Sequence, residues 1–283
     1  MTATDYEIVL SPFVLALVGL CVGSFLNVVI HRLPLMLERG WKRDSAEMLG
    51  VEVDLGQPIT LALPRSRCPS CGHQICWYEN IPVASWLWLR GRCSACRAPI
   101  SARYPLVELF TALLFGLVGW RVGAQPVALL WCAFAAVLIA LAGIDWDTTL
   151  LPDSLTLPLL WAGLVASALG WTIALPQAVW GAVVGYLSLW TIYWVFKLAT
   201  GKEGMGFGDF KLLAALGAWL GLKMILPIVL AASLIGAVVG IAMKFAASLR
   251  EGRYVPFGPF LAGAGIVVML AGQQRVLGWL GWA

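Results

Sequence analysis

Two aspartates draw attention by their position in the chain. Asp145 closes the apolar run 126–144, and Asp209 opens another, 210–222. An ionised carboxylate in hydrocarbon costs about 2.5–3.5 kcal/mol even on the lenient insertion scale, so one kept beside a span is a functional hypothesis by default. Two carboxylates brought together cannot both ionise cheaply, and the pair then holds a single proton near neutral pH. One member can deprotonate a water while the other protonates a carbonyl oxygen or a leaving amine. That is the chemistry of aspartic proteases. The run Gly204-Met205-Gly206-Phe207-Gly208 ahead of Asp209 suits close backbone approach to a substrate and positive φ. Each feature also has a plainer role: glycines before a helix are ordinary loop, and an aspartate at a helix start is an ordinary N-cap. Among the remaining acidic residues, Asp153 reads as the cap of the next helix. Asp147 reads as a loop charge or a member of the site. Glu108 reads as a hydrogen-bonding group inside a bundle or a partner for a substrate amine.

A second cluster is made of thiols. Cys68-Pro69-Ser70-Cys71 and Cys93-Ser94-Ala95-Cys96 are two CxxC knuckles, each able to present two thiolates to one tetrahedral zinc at about 2.3 Å. Their separation lies one residue above the usual spacing of such sites. A closed set of four cysteines is structural, with no open position for catalysis. A disulfide pairing and a redox CxxC are the other readings. A loop in a reducing compartment argues against the first, and the lack of a surrounding βαβ pattern argues against the second. His73 and Cys76 are spare ligands, whereas Cys21 and Cys132 fall in apolar runs and read as small core residues.

The elements that must position these groups are membrane helices. The chain is 60% hydrophobic and only 12% charged, far from the about 45–50% and 25% of soluble domains. Its mean hydropathy is +0.86 and it carries 15 Trp, which suits anchoring at headgroup level. Apolar runs of spanning length fall at 9–30, 106–120, 126–144, 155–171, 177–196, 210–222, 224–245 and 260–280. The predicted fold class is therefore an all-α polytopic membrane protein of about eight transmembrane helices, with a small cytoplasmic Cys₄ domain between the first and second. The expected division is a first transmembrane helix at 1–31, the zinc-binding domain at 32–103 and a seven-helix membrane domain at 104–283. No Lys or Arg precedes the first run, so it reads as a permanent span rather than a cleavable signal.

Charge orients the bundle. Residues 32–103 hold ten of the 19 Lys and Arg. Placing them in the cytoplasm puts the N-terminus in the periplasm and brings Lys197, Lys202, Lys211, Lys244, Arg250 and Arg253 inside too, leaving only Arg121, Lys223 and Arg275 outside. That is the positive-inside bias. Both Asp145 and Asp209 then sit at cytoplasmic helix ends, at similar depth. No basic patch is interleaved with stacking aromatics, so nucleic acid is not an expected partner.

At this point a family resemblance appears. Gly206-Phe207-Gly208-Asp209 resembles the GxGD motif of membrane aspartyl peptidases. Ile144-Asp145-Trp146-Asp147 with Leu150-Leu151-Pro152-Asp153 resembles the first-aspartate motif of bacterial type IV prepilin peptidases. The opening segment from Gly23-Ser24-Phe25-Leu26-Asn27 to Arg32-Leu33-Pro34, the Cys₄ loop, Glu79-Asn80-Ile81-Pro82, Tyr104-Pro105-Leu106-Val107-Glu108 and Pro256-Phe257-Gly258-Pro259 are similar to that family as well. The resemblance covers nearly the whole chain. It implies cleavage of the leader of prepilins or pseudopilins after a Gly at the cytoplasmic face of a bacterial inner membrane. It also implies N-methylation of the new N-terminal residue with S-adenosylmethionine as methyl donor. It makes Asp145 and Asp209 the catalytic pair and Cys68, Cys71, Cys93 and Cys96 zinc ligands, with Gly91, Glu79 and Glu108 as candidates for supporting methyl transfer. No GxGxxG strand-turn-helix is visible, so S-adenosylmethionine rests on the resemblance alone. Three other readings stay open: a peptidase without methyl transfer, a non-enzymatic membrane assembly factor, and a proton-coupled transporter. The last would carry paired broken helices in matched halves, and only one Gly-rich break is present. The sequence leaves the oligomeric state open.

Overall fold

A computed structural model describes residues 7–245 and 255–282. Arg250, Arg253 and the opening residues 1–6, which entered the charge and signal readings above, lie outside the described residues. The described residues are mostly helical and form no strand, only two isolated bridges, Arg67 with Gln74 and Arg92 with Pro99. The helices are α1 (Pro12–Leu49), the short α2 (Ala84–Trp88), α3 (Arg103–Val122), α4 (Val127–Thr148), α5 (Asp153–Ala168), α6 (Leu175–Thr200), α7 (Phe207–Leu220), α8 (Ile225–Phe245), α9 (Gly258–Ala271) and α10 (Gln273–Trp279). Each of the eight apolar runs is a helix, or for the last a helix pair. Five helices are long and apolar enough to cross a membrane. The count is six if α9 and α10, bent by 106° at Gly272, form one span. At 16 and 14 residues, α5 and α7 fall short of that length.

The chain falls into two compact units, Met1–Ala136 and Val137–Ala283, dividing within α4. In the first, α1 packs along α3 through small residues. A Cβ on Gly19 would lie 2.7 Å from the Ala112 Cα, and one on Gly23 would lie 2.7 Å from the Glu108 Cα. Small residues let helix backbones approach closely in lipid, where no hydrophobic drive brings them together. Asn27 on α1 closes the seam by donating from its side-chain amide to the Tyr104 carbonyl at 3.1 Å and to Gly23 O at 3.2 Å. The helix does not stop where its apolar run does. It continues through Pro34 to Leu49 and ends at Gly50 in the left-handed region, φ 65°. Arg32 on this extension donates to the carbonyls of Thr60, Leu61 and Pro64, binding the loop back against the helix.

In the second unit α7 is the axis. Every residue from Asp209 to Leu220 except Lys211 is buried, although the helix rises only about 21 Å. Its neighbours are cut back to make room: a Cβ on Gly181 of α6 would run into Gly217, one on Gly265 of α9 would lie 2.5 Å from Leu216, and one on Gly163 of α5 would lie 2.6 Å from the Trp219 ring. Polar ends are satisfied inside the bundle, with the Trp219 indole donating to Leu159 O and the Gln273 side chain to Leu220 O, each at 2.8 Å. A helix so enclosed meets protein rather than lipid, and so it need not be long enough to span alone.

Candidate active site and metal centre

The second unit holds both aspartates. Asp145 lies one turn inside the end of α4, because the helix runs on to Thr148, and Asp147 is therefore helical and exposed rather than in a loop. Asp209 is the third residue of α7, behind the N-cap position held by Gly206. The carboxylates are 4% and 7% exposed and close enough to interact electrostatically. Asp145 Oδ2 accepts the Gly258 N–H at 2.9 Å from the start of α9, and the Gly206 backbone N–H is a partner of Asp209. Asp209 Oδ1 is buried with no hydrogen-bond partner among the described residues, leaving it available to a water or a substrate carbonyl.

The glycines around Asp209 act through space rather than through φ. Gly204, Gly206 and Gly208 are not among the positive-φ glycines, which corrects the expectation of left-handed backbone there. A Cβ on Gly208 would lie 2.6 Å from the Leu151 Cβ, and one on Gly204 would lie 2.9 Å from the Phe196 ring. Leu151 also fills the space beside Gly258, 3.2 Å from where a Cβ would stand. It thus wedges between the segment carrying Asp209 and the segment that donates to Asp145. Asp153, expected to cap α5, is instead the first helical residue, behind Pro152. Both its oxygens accept from Lys211 Nζ at 2.7 Å, tying α5 to α7 one turn from the site. Leu151, Lys211 and Gly258 were not singled out in the sequence, although Leu151 and Gly258 fall inside its quoted motifs. Their contacts join segments far apart in the chain, and spacing carries no signal of that.

The first unit holds the thiols. The Sγ atoms of Cys68, Cys71, Cys93 and Cys96 all lie within 4.8 Å of one another, and the group could hold a metal ion. Cys68 and Cys96 are 3.8 Å apart, the S–S edge of about 3.8 Å that a tetrahedron with 2.3 Å Zn–S bonds requires. The Cys71 and Ser70 backbone N–H groups draw the Cys68 thiol down to about 6. For Cys71 the His73 backbone N–H favours the thiolate, but the neighbouring thiols, Cys96 foremost, and burial outweigh it and push the group up to about 12. All four could be thiolates together only with a cation between them to offset their repulsion. His73 and Cys76 stand outside the group.

The other three candidates make their contacts within or beside the loop. Glu79 Oε2 accepts the Cys76 N–H at 2.8 Å and meets His73 Nε2 at 3.3 Å. Ser94, the Cys76 N–H and His73 together hold Glu79 below the usual carboxylate range. Gly91 has φ 64°, and a Cβ there would lie 2.9 Å from the Trp86 ring. Glu108, 7% exposed on α3, accepts the Val83 N–H at 2.7 Å and meets the Ser24 side chain. It hydrogen-bonds within its unit, as expected, though one partner comes from the loop.

Comparison with known proteins decides the kinship. Residues 17–122 match the bacterial peptidase A24 N-terminal domain, and residues 132–241 match the type IV leader peptidase family. The chain belongs to the type IV leader peptidase family. Its relatives include proteins named prepilin leader peptidase/N-methyltransferase. That of Stutzerimonas stutzeri is 53% identical, covering 94% of this chain and 92% of the relative. That of Pseudomonas putida is 54% identical, covering 90% and 89%, and that of Neisseria gonorrhoeae is 48% identical, covering 96% of each. No solved structure matches the chain. Within the leader peptidase family match, 132–241, fall both aspartates, Leu151, Asp153 and Lys211, and within the N-terminal match fall all four clustered thiols.

Proposed function

We propose that this chain is a membrane aspartic peptidase that removes the leader from type IV prepilins and pseudopilins. On the same reading it N-methylates the new N-terminus with S-adenosylmethionine. The observation that carries the peptidase reading is the pairing of Asp145 and Asp209, two buried carboxylates from different helices within electrostatic reach, one with a buried oxygen that no described residue satisfies.

The pair shares one proton and titrates as a unit. A water between the carboxylates gives its proton to the ionised member while the protonated member donates to the scissile carbonyl. Water oxygen bonds to the carbonyl carbon and a tetrahedral diol forms. The member that took the water's proton passes it to the leaving nitrogen, the other takes a proton from a diol hydroxyl as the C–N bond breaks, and acid and amine leave with the pair back at one proton. Gly258 N–H fixes Asp145 throughout, and Leu151 keeps the two segments in register.

Eight spans place this chemistry. The short α5 and α7 cross inside the helix bundle, the N-terminus is periplasmic, and the thiol loop and aspartates face the cytoplasm of a bacterial inner membrane. A prepilin enters with its basic leader in the cytoplasm and its apolar helix in lipid, so its scissile bond lies at the depth of the aspartates. Cys68, Cys71, Cys93 and Cys96 hold zinc, which crosslinks the loop and leaves no position for substrate. Glu79, Gly91 and Glu108 support methyl transfer by shaping the loop, Glu79 through His73 and the Cys76 N–H, Gly91 against the Trp86 ring and Glu108 through the Val83 N–H.

The test is the full chain in lipid vesicles with a prepilin and S-adenosylmethionine, followed by mass spectrometry. The reading requires release of the leader and gain of one methyl group on the mature N-terminus. Leader release without methylation removes the second activity, and an intact prepilin removes both.

A further inference from the structure

Residues 77–88, between the two knuckles, turn their largest apolar side chains outward. Trp77 and Trp88 are 82% and 84% exposed, and Leu87 and Tyr78 are 61% and 51% exposed. In water such a group of side chains is a liability, and a contiguous exposed apolar patch marks a contact surface.

A hydrogen bond fixes the depth of this segment. Val83 N–H donates to Glu108 Oε2 at 2.7 Å. Glu108 is the sixth residue of α3, an apolar helix of 20 residues. Such a helix is about 30 Å long, the thickness of the hydrocarbon core, which puts Glu108 about 8 Å in from the Arg103 end. Val83 is held at that level by force of geometry. Its φ of 59° is a true outlier for a β-branched residue and persists only when its surroundings impose it. Trp86 ties the segment a second time, its indole N–H donating to Ile100 O at 3.2 Å, three residues ahead of α3.

Interfacial elements bury their apolar face about 5–10 Å into the headgroup and acyl boundary, the depth that α3, spanning with Arg103 at that boundary, gives to Val83. Indole and phenol rings favour that layer. The exposed Arg90, Arg92 and Arg97 follow in the chain, where they can meet anionic headgroups. We propose that residues 77–88 form a membrane-docked element, lying in the headgroup layer at the Arg103 end of α3 with Trp77, Tyr78, Leu87 and Trp88 in lipid. The Cys₄ loop is then held against the bilayer by its middle as well as by α1 and α3.

The test places benzoylphenylalanine, a photoreactive aromatic residue, at Trp77 or Trp88 of the full chain. The control position is Glu52, exposed beyond the far end of α1. Each protein is reconstituted in phosphatidylethanolamine–phosphatidylglycerol vesicles, checked for wild-type metal content and protease resistance, irradiated and weighed intact. The proposal predicts phospholipid adducts at 77 and 88 severalfold above those at 52. Adducts no more frequent than at 52 overturn it. So do adducts that join two copies of the chain or, with prepilin present, join only the prepilin.

Discussion

Gly258 shows how little room the Asp145 carboxylate has. A Cβ at this position would stand 2.5 Å from Asp145 Oδ2, inside the space of the hydrogen bond that orients it. Gly258→Ala should lower the rate of leader cleavage by about 10- to 100-fold, since displacement of a reacting group by an ångström costs about that much. Membrane insertion and metal content should be unchanged. A cleavage rate equal to wild type would mean the N–H of Gly258 does not hold the reacting carboxylate. The aspartates themselves were legible in the sequence because charge beside an apolar run is costly and therefore rare. Gly258 was visible only as part of a familiar segment, since its partner lies on a distant helix. The glycines ahead of Asp209 were legible as important and misread in kind. Their value is the missing side chain against Leu151 and Phe196, and composition does not separate that from a need for positive φ.

Helices bring these residues together, and two links between helices are open to test. Lys211 and Asp153 join α7 to α5 with a doubly bonded ion pair, 29% and 54% exposed at the side chains. Such a half-exposed pair contributes about 0.2–1 kcal/mol, so its main effect is on alignment. Reversing either charge should lower both thermal stability and cleavage. The double reversal, Asp153→Lys with Lys211→Asp, should recover most of both, as thermal unfolding and a prepilin assay on all four proteins would show. Non-recovery would mean that the lysine acts elsewhere. The second link is the glycine contact of α6 with α7. Gly181→Ala forces a methyl group into Gly217 and should cost about 1–3 kcal/mol, read as a lower unfolding midpoint in detergent. Helix existence was legible from the apolar runs, but helix ends were not. α1 runs past its apolar segment because its later turns hold the loop carbonyls through Arg32, a contact with no periodic signature. α4 runs one turn past its apolar segment to Thr148, through the polar Asp145, Asp147 and Thr148.

Taken whole, the chain carries two kinds of chemistry in two compact units, thiols in one and carboxylates in the other. The fold class was legible because composition alone excludes a soluble domain. The thiol cluster was legible because metal geometry forces its spacing. Cys68→Ser with Cys71→Ser should release zinc and leave the loop sensitive to protease, as elemental analysis and limited proteolysis would show. Unchanged metal content would place the ion elsewhere. Where a methyl donor would sit was not legible, because no nucleotide-binding motif marks it and the candidate acids already have partners within their own unit. Cleavage depends above all on the paired carboxylates. The decisive measurement is single-turnover cleavage of a prepilin by Asp145→Asn and Asp209→Asn, each reconstituted at the wild-type level with unchanged unfolding temperature. Both variants should lose cleavage by at least about 10³-fold, since one amide cannot take up and return the proton the pair must pass. Either variant cleaving at the wild-type rate would contradict the assignment.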